Sequence, residues 1–329
     1  MAKTRAITRS LKSGRRQPQF SVVAQQKVFD SNDILSLVLY YCSLKEMGNF
    51  VVAFPKKKEV LTSIEIDYDV SINCSKLIKF LVSNKIRLTS FSLEYDHKLT
   101  DYHLLALAYL SPNLLTIDGA SKYQFLWSVS TAGIRWLVER CPRIEEWFLL
   151  LRKPEVFLEI VSNAYPDLRG VQIGPFDEGD GEQLEIDRSI VVSFVNRCQQ
   201  LEHLKIVQSN IEDADFERIC TLHRLKYLEI MDCDYLTPNS LQFLQRCNHL
   251  ETLVIINSWL HSFDDEDEKT FFNDTIFALL SELKSLRYVK VYIYQYEEGD
   301  FVELIGDIVV PPAWRKVISN DGDHEFFKL

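Results

Sequence analysis

The fold is decided by residues 225–247, which read LKYLEIMDCDYLTPNSLQFLQRC. The first six residues are apolar at positions 1, 4 and 6, which are Leu225, Leu228 and Ile230. The spacing of two residues between positions 4 and 6 is the alternation of a short strand. Leu241 and Leu244 then share one face of a helix, Thr237 can cap that helix, and Pro238 suits a first turn that needs no N–H donor. The stretch therefore predicts one strand followed by one helix.

The strand phrase recurs nine times along the chain. Its first residues are Leu61, Leu88, Leu114, Ile144, Leu168, Leu201, Leu225, Leu250 and Leu286, and successive starts lie 24 to 36 residues apart. One such unit cannot bury its own apolar face, so neighbouring units have to stack. The repeat predicts an α/β solenoid with parallel strands on its concave face and helices outside.

Three cysteines mark the ends of the predicted helices. Cys141, Cys198 and Cys247 each lie three residues before a phrase, and Cys233 occupies position nine of its own repeat. Small thiols at such places are expected to be buried and inert. Because Cys220 with His223, or Cys247 with His249, offers only two ligands, no metal site and no cofactor are expected.

These residues resemble the cysteine-containing leucine-rich repeat, a subclass typical of F-box/leucine-rich-repeat proteins. The resemblance covers roughly residues 60–319 and is strongest at residues 225–250. It implies a horseshoe of parallel strands that binds other proteins.

The segment before the repeats predicts two helices. Its apolar positions are Ile34, Leu35, Val38, Tyr41, Leu44 and Met47. The segment resembles an F-box, which implies that these six residues dock the Skp-family linker of a cullin–RING ubiquitin ligase. The alternative is an N-terminal helical cap that only shields the first strand of the solenoid.

The concave face follows from the strand period, because positions 3, 5 and 7 point away from the helices. The first repeats offer small and acidic residues there, and the later ones offer large side chains. The candidate target-binding residues are Phe148, Tyr227, Met231, Val254, Ile256, Tyr288 and Tyr292. Aromatic anchors favour protein binding. The alternative is that the strand ends twist, or that the C-terminal segment folds over these residues.

Net charge and hydropathy limit the classes of partner that the chain is expected to have. The 329 residues carry a net charge of −10, although residues 1–19 hold six basic residues and no acid. An acidic body repels phosphate, so nucleic-acid binding is not expected. With neither a signal-peptide core nor an apolar run near 18 residues, no membrane contact is expected, and the chain is predicted to be cytoplasmic and/or nuclear.

The predicted domains are a basic disordered tail at 1–27, an F-box-like segment at 28–58, a solenoid of about nine repeats with a C-terminal cap at 59–319, and a loose tail at 320–329. Acidic residues 263–269 predict a solvated loop. Nucleotide-binding and hydrolase motifs are absent from the sequence, so no enzyme is expected. The sequence predicts a non-catalytic adaptor, namely the substrate-recognition subunit of an SCF-type ubiquitin ligase; the alternative is a stand-alone scaffold or inhibitor.

Overall fold

The nine phrases form nine neighbouring parallel strands. The computed structural model describes residues 63–66, 74–93, 99–118, 129–149, 154–174, 186–256, 266–292, 294–297, 300–303, 311–318 and 324–328. The strands are β1 (Ser63–Ile66), β2 (Ser90–Leu93), β3 (Thr116–Asp118), β4 (Glu146–Phe148), β5 (Gly170–Ile173), β6 (His203–Val207), β7 (Tyr227–Met231), β8 (Thr252–Ile256) and β9 (Tyr288–Tyr292). Each pairs in parallel with the next, in sequence order.

A helix connects each pair of consecutive strands from β1 to β9. The helices are α1 (Cys74–Asn84), α2 (Asp101–Leu110), α3 (Thr131–Arg140), α4 (Pro154–Ala164), α5 (Arg188–Arg197), α6 (Asp213–Ile219), a 3-10 helix (Pro238–Arg246) and α7 (Glu266–Glu282). Each packs beside the next in chain order. The chain is therefore a leucine-rich-repeat-like α/β solenoid with an open sheet, and the predicted fold class is confirmed at that level.

The core lies between the sheet and the layer of helices. From Leu88 onward, the phrase positions 1, 4 and 6 whose burial the structure describes are buried there together with the inner faces of the helices, in one continuous cluster. The largest buried side chain is Trp147 of β4, whose ring lies 5.2 Å from that of Phe157 on α4. The predicted inner faces are thus confirmed at Leu241 and Leu244, both fully buried.

Neighbouring helices are joined at their N-termini by a repeated hydrogen-bond pattern. Asp101, the first residue of α2, accepts from the backbone N–H of Ser130 at 2.7 Å and from its hydroxyl at 2.5 Å. Asp213, the first residue of α6, accepts in the same way from Thr237 at 2.8 and 2.6 Å. Ser130 and Thr237 are the N-caps of α3 and of the 3-10 helix, so the preceding helix fixes the cap in both of these cases.

The predicted helix after Thr237 takes the tighter 3-10 form. Pro238 stands in its first turn, as expected. A 3-10 helix rises about 2.0 Å per residue instead of about 1.5 Å, so it covers the same distance with fewer residues. This suits a connection that has to return from β7 to β8 within one of the shortest repeats.

A row of alternating charges runs along position 2 of six consecutive repeats. The row reads Glu145, Arg169, Glu202, Lys226, Glu251 and Arg287. Arg169 contacts Glu145 at 3.3 Å and Glu202 at 2.8 Å, and Lys226 contacts Glu202 at 2.6 Å. Opposite charges therefore face each other across neighbouring repeats and favour this strand register over a slipped one.

The C-terminus completes the sheet by strand insertion. Strands β12 (Trp314–Ile318) and β13 (His324–Lys328) are antiparallel, and β13 lies between β9 and β12; a separate hairpin joins β10 (Tyr294–Glu297) and β11 (Asp300–Glu303). The prediction of a loose tail at 320–329 is therefore wrong for 324–328. The physical reason is Phe326, which is fully buried opposite Val289 and covers the open end of the core.

The acidic segment at 263–269 is also corrected in part. Residues 266–269 form the first turn of α7 rather than a loop. Carboxylates are favourable there because the N-terminus of a helix carries partial positive charge.

Among the described helices, none combines the length and apolarity needed to cross a membrane. Residues 28–58 lie outside the described ones, so the F-box-like helices and the domain boundaries before residue 59 remain predictions.

Candidate protein-binding site

The sheet face turned away from the helices, called the open face below, is built from three rows of side chains. Position 3 of the phrases supplies Ser90, Thr116, Glu146, Gly170, His203, Tyr227, Thr252 and Tyr288; position 5 supplies Ser92, Asp118, Phe148, Gln172, Lys205, Glu229, Val254 and Lys290; position 7 supplies Val207, Met231, Ile256 and Tyr292. Parallel pairing in constant register keeps each row straight across the sheet. The predicted target-binding residues therefore share one surface.

The C-terminal part of the open face carries a second, smaller apolar cluster. Its buried members are Met231, Val254 and Ile256, each about 6% exposed, and its half-buried members are Val207, Tyr227, Tyr288 and Tyr292. Strands lie only about 4.8 Å apart, so large side chains in adjacent rows cover the aliphatic ones between them. The prediction that Met231, Val254 and Ile256 are available to a target is wrong: they support the tyrosines that remain partly exposed.

Strand β13 extends this cluster at its C-terminal edge. Phe327 stands opposite Tyr288 in the register, with ring centroids 5.1 Å apart. The alternative prediction from the sequence is that the C-terminal segment folds over these outward residues, and β13 of that segment does lie beside Tyr288. Phe327 itself keeps 38% exposure. It therefore adds an aromatic side chain to the face instead of closing it.

A charged and aromatic centre lies beside the cluster. The Lys205 ammonium stands 5.6 Å from the centroid of the Phe148 ring and 5.9 Å from that of Tyr227, within reach of a cation–π contact with both. It also lies 3.7 Å from a carboxylate oxygen of Glu229, which accepts a 2.5 Å hydrogen bond from the Tyr227 hydroxyl. Burial, and then the negative charge of Glu229, raise the pKa of Tyr227, so its hydroxyl stays a donor at neutral pH.

Gly170 opens a gap in the first row. A Cβ at this position would meet Cζ of Phe148 at 2.9 Å and Cγ of Glu146 at 3.1 Å. The missing side chain lets Glu146 reach across β5, where its carboxylate lies 3.3 Å from Nδ1 of His203. The hydrogen bond with His203, aided by one from Thr116, holds the pKa of Glu146 below its usual value against the opposing effect of burial.

The structure thus brings Phe148 and Tyr227 together at the centre, and Tyr288 and Tyr292 in the apolar cluster. Sequence reasoning missed the part that Gly170 and Glu146 play between them. A glycine inside a strand signals a close approach of another group, and that signal at Gly170 was available. The six predicted linker-binding residues, Ile34, Leu35, Val38, Tyr41, Leu44 and Met47, lie outside the described residues.

The cysteines of the described ranges are buried in structural positions. The Cys141 thiol donates to the Ser111 carbonyl at 3.4 Å, and the Cys198 thiol donates to the Tyr165 carbonyl at 3.8 Å. In each case a thiol at the end of one helix contacts the end of the preceding helix. Burial raises the pKa of both thiols to about 12, so neither is a nucleophile at neutral pH. Within the described ranges, no group of three or more His, Cys, Asp or Glu side chains is arranged to hold a metal ion.

Comparison with known proteins gives a likeness in structure but none in sequence. No family model matches the chain, and a comparison with curated proteins found no match. Among solved structures, the chain is similar to one in the crystal structure of a Rad7 and Elc1 complex in yeast, with 12% sequence identity and a TM-score of 0.40. The match covers 84% of this chain and 71% of the other. A likeness at this level indicates no function.

Proposed function

We propose that the chain is a non-catalytic adaptor that recognises a protein target on the open face of its sheet. The observation that carries the proposal is the pairing of two features on one rigid surface. Half-buried Tyr288 and Tyr292 stand on a packed apolar base, and Lys205 and Glu229 lie beside them at the charged centre. Aromatic anchors next to charges that are already positioned are typical of protein-binding hot spots.

The size of the face supports a protein target. Eleven strands spaced about 4.8 Å apart, with about 15 Å of each strand exposed, present roughly 800 Å². A standard protein–protein interface buries about 800 Å² on each partner. A folded target or a long extended segment can therefore be held without help from a pocket.

The ligase role rests on residues 28–58. We propose that Ile34, Leu35, Val38, Tyr41, Leu44 and Met47 dock a Skp-family linker and, through it, a cullin complex. The solenoid would then hold the target at a fixed distance from the conjugating enzyme, and proximity alone would promote transfer. No cofactor takes part in this mechanism, and the adaptor supplies no catalytic group.

Linker binding is tested by pull-down of a purified Skp-family linker with the full chain. The combined change Leu35→Asp and Val38→Asp places two charges on the apolar face and is expected to abolish capture, because an unpaired buried charge at an interface is costly. Ser36→Asp is the control, since it adds one such charge to a neighbouring residue outside the apolar set, and it should leave capture intact. If the unchanged chain captures no linker, the ligase role is wrong and the stand-alone scaffold remains.

Target binding is tested separately by affinity purification and mass spectrometry. The combined change Tyr288→Ala and Tyr292→Ala should lower recovery of a specific target at least tenfold, as expected for the loss of two aromatic anchors. Tyr235→Ala is the control because Tyr235 is an exposed tyrosine outside the three rows of the open face. Equal target recovery with the double variant and the control would refute this binding site.

A further inference from the structure

The opposite side of the molecule carries exposed aromatic side chains on its first helices. Tyr102 and Tyr109 of α2 are 59% and 75% exposed, and Trp136 of α3 is 49% exposed. Helix α2 reads DYHLLALAYL and is apolar nearly all round, although only one of its faces is buried in the core. A helix of that composition is normally covered on more than one side, whereas in the described part of the chain the outer face of α2 is exposed.

These side chains belong to one surface because α2 and α3 are aligned. Their first turns are tied by the hydrogen bonds of Asp101 with Ser130, and Gly133 lets α3 approach so closely that a Cβ there would meet Asp101 Oδ1 at 2.2 Å. Trp136 is the sixth residue of α3 and so lies level with the stretch between Tyr102 and Tyr109. Val82 of the neighbouring helix α1 is also exposed. We call Val82, Tyr102, Tyr109 and Trp136 the outer aromatic patch.

The charge around this patch is opposite in sign to that of the chain. Helices α1 to α3 and the turns that follow them (74–88, 101–112 and 131–143) hold seven Lys or Arg residues and two acids. The basic residues are Lys76, Lys79, Lys85, Arg87, Arg135, Arg140 and Arg143. The equivalent segments of α4 to α6 (154–167, 188–200 and 213–224) hold four basic residues and six acids. In a chain of net charge −10, positive charge is thus concentrated around the patch.

We propose that the outer aromatic patch binds a short acidic segment of a partner protein that carries apolar or aromatic side chains. The apolar side chains would cover Tyr102, Tyr109 and Trp136, and the carboxylates would face the basic residues around them. Three helices about 15 Å long and about 10 Å apart offer roughly 450 Å², less than the 800 Å² or so of a standard interface. The surface therefore fits a single helix or peptide rather than a folded domain.

A protein segment fits this surface better than a nucleic acid. Nucleic-acid binding depends on many phosphate contacts, and even a single DNA-binding module buries about 600–1,000 Å² of protein surface, more than this patch offers. Half-buried Leu105 and Ala106 continue the patch between the two tyrosines of α2, and such aliphatic side chains are suited to apolar side chains rather than to stacked bases. The patch lies on the helical layer, so its partner and a target on the open face could bind together. The inference goes beyond the proposed function and holds whether or not residues 28–58 dock a linker.

The test is a selection of random 16-residue peptides, displayed on phage, against the immobilised full chain. We expect the enriched peptides to be acidic and to contain aromatic or leucine residues. Their affinity should fall at least tenfold for the combined change Tyr109→Ser and Trp136→Ser, and should fall also for Arg135→Glu with Arg140→Glu. Phe277→Ser removes an exposed aromatic residue of α7 outside the patch and should leave the affinity unchanged.

Three outcomes would overturn the inference. The first is enrichment of neutral or basic peptides, or of none. The second is an affinity that the patch variants leave unchanged. The third is that a single-stranded 20-nucleotide probe binds the unchanged chain but not the combined Tyr109→Ser and Trp136→Ser variant, while acidic peptides bind neither protein. Circular dichroism of every variant checks that the helices are intact.

Discussion

Glu202→Gln should destabilise the solenoid measurably, because Glu202 is the most buried carboxylate of the alternating-charge row. Glu202 is 8% exposed, and its carboxylate accepts hydrogen bonds from Arg169 at 2.8 Å and from Lys226 at 2.6 Å. A hydrogen bond to a charged group contributes about 1.5–3 kcal/mol when it is shielded from water. The side chains of Arg169 and Lys226 are 49% and 46% exposed, so water screens both contacts. Since glutamine still accepts one hydrogen bond, we expect a loss of about 2 kcal/mol in the free energy of unfolding.

The loss should depend on pH in a defined direction. The hydrogen bonds from Lys226 and Arg169 lower the pKa of Glu202 in the folded chain, against the opposing effect of burial. The carboxylate therefore contributes its full stabilisation above the unfolded-state pKa of about 4.3, and loses it as the pH falls through the lower folded-state value. The difference between the two proteins should be largest near pH 7 and should shrink below about pH 4.

Urea unfolding followed by far-ultraviolet circular dichroism measures this difference at pH 7 and at pH 3.5. Glu251→Gln is the control, because Glu251 is half exposed and lies 3.9 Å from Arg287. An exposed pair at that distance contributes less than about 0.5 kcal/mol. Equal unfolding midpoints for Glu202→Gln and the unchanged chain at pH 7, or the same difference at both pH values, would refute the reasoning.

Two further predictions concern the helix layer. Gly133→Ala should lower the free energy of unfolding by about 1–2 kcal/mol, because the added Cβ would displace Asp101 from its hydrogen bonds with Ser130. This loss should outweigh the higher helix propensity of alanine. A variant that is more stable than the unchanged chain in thermal unfolding would show that α2 and α3 are not so close. The buried thiols of Cys74, Cys141, Cys198 and Cys233, whose pKa burial raises to between about 11 and about 12, should resist Ellman's reagent at pH 8 until urea unfolds the chain. Rapid reaction of these four in the native protein would contradict their placement, and mass spectrometry of the labelled peptides identifies which thiols react.

Much of the candidate site could be predicted from the strand period alone. Tyr227, Tyr288 and Tyr292 stand where positions 3 and 7 place them, and all three remain partly exposed. The period could not tell which outward residues stay accessible. Met231, Val254 and Ile256 are outward by position and yet buried, since their exposure depends on side chains from neighbouring repeats that lie 24 residues or more away in the chain.

The nine strands, their order and the inner faces of the helices could be predicted without coordinates, because alternation and helical spacing are local properties that every repeat has to satisfy. The insertion of β13 beside β9, the contact of Glu146 with His203 across Gly170, and the exposure of Tyr102, Tyr109 and Trp136 on two neighbouring helices follow from the packing in three dimensions. These features join residues from different repeats. Their geometry depends on how the repeats stack, and no single stretch of the chain encodes it.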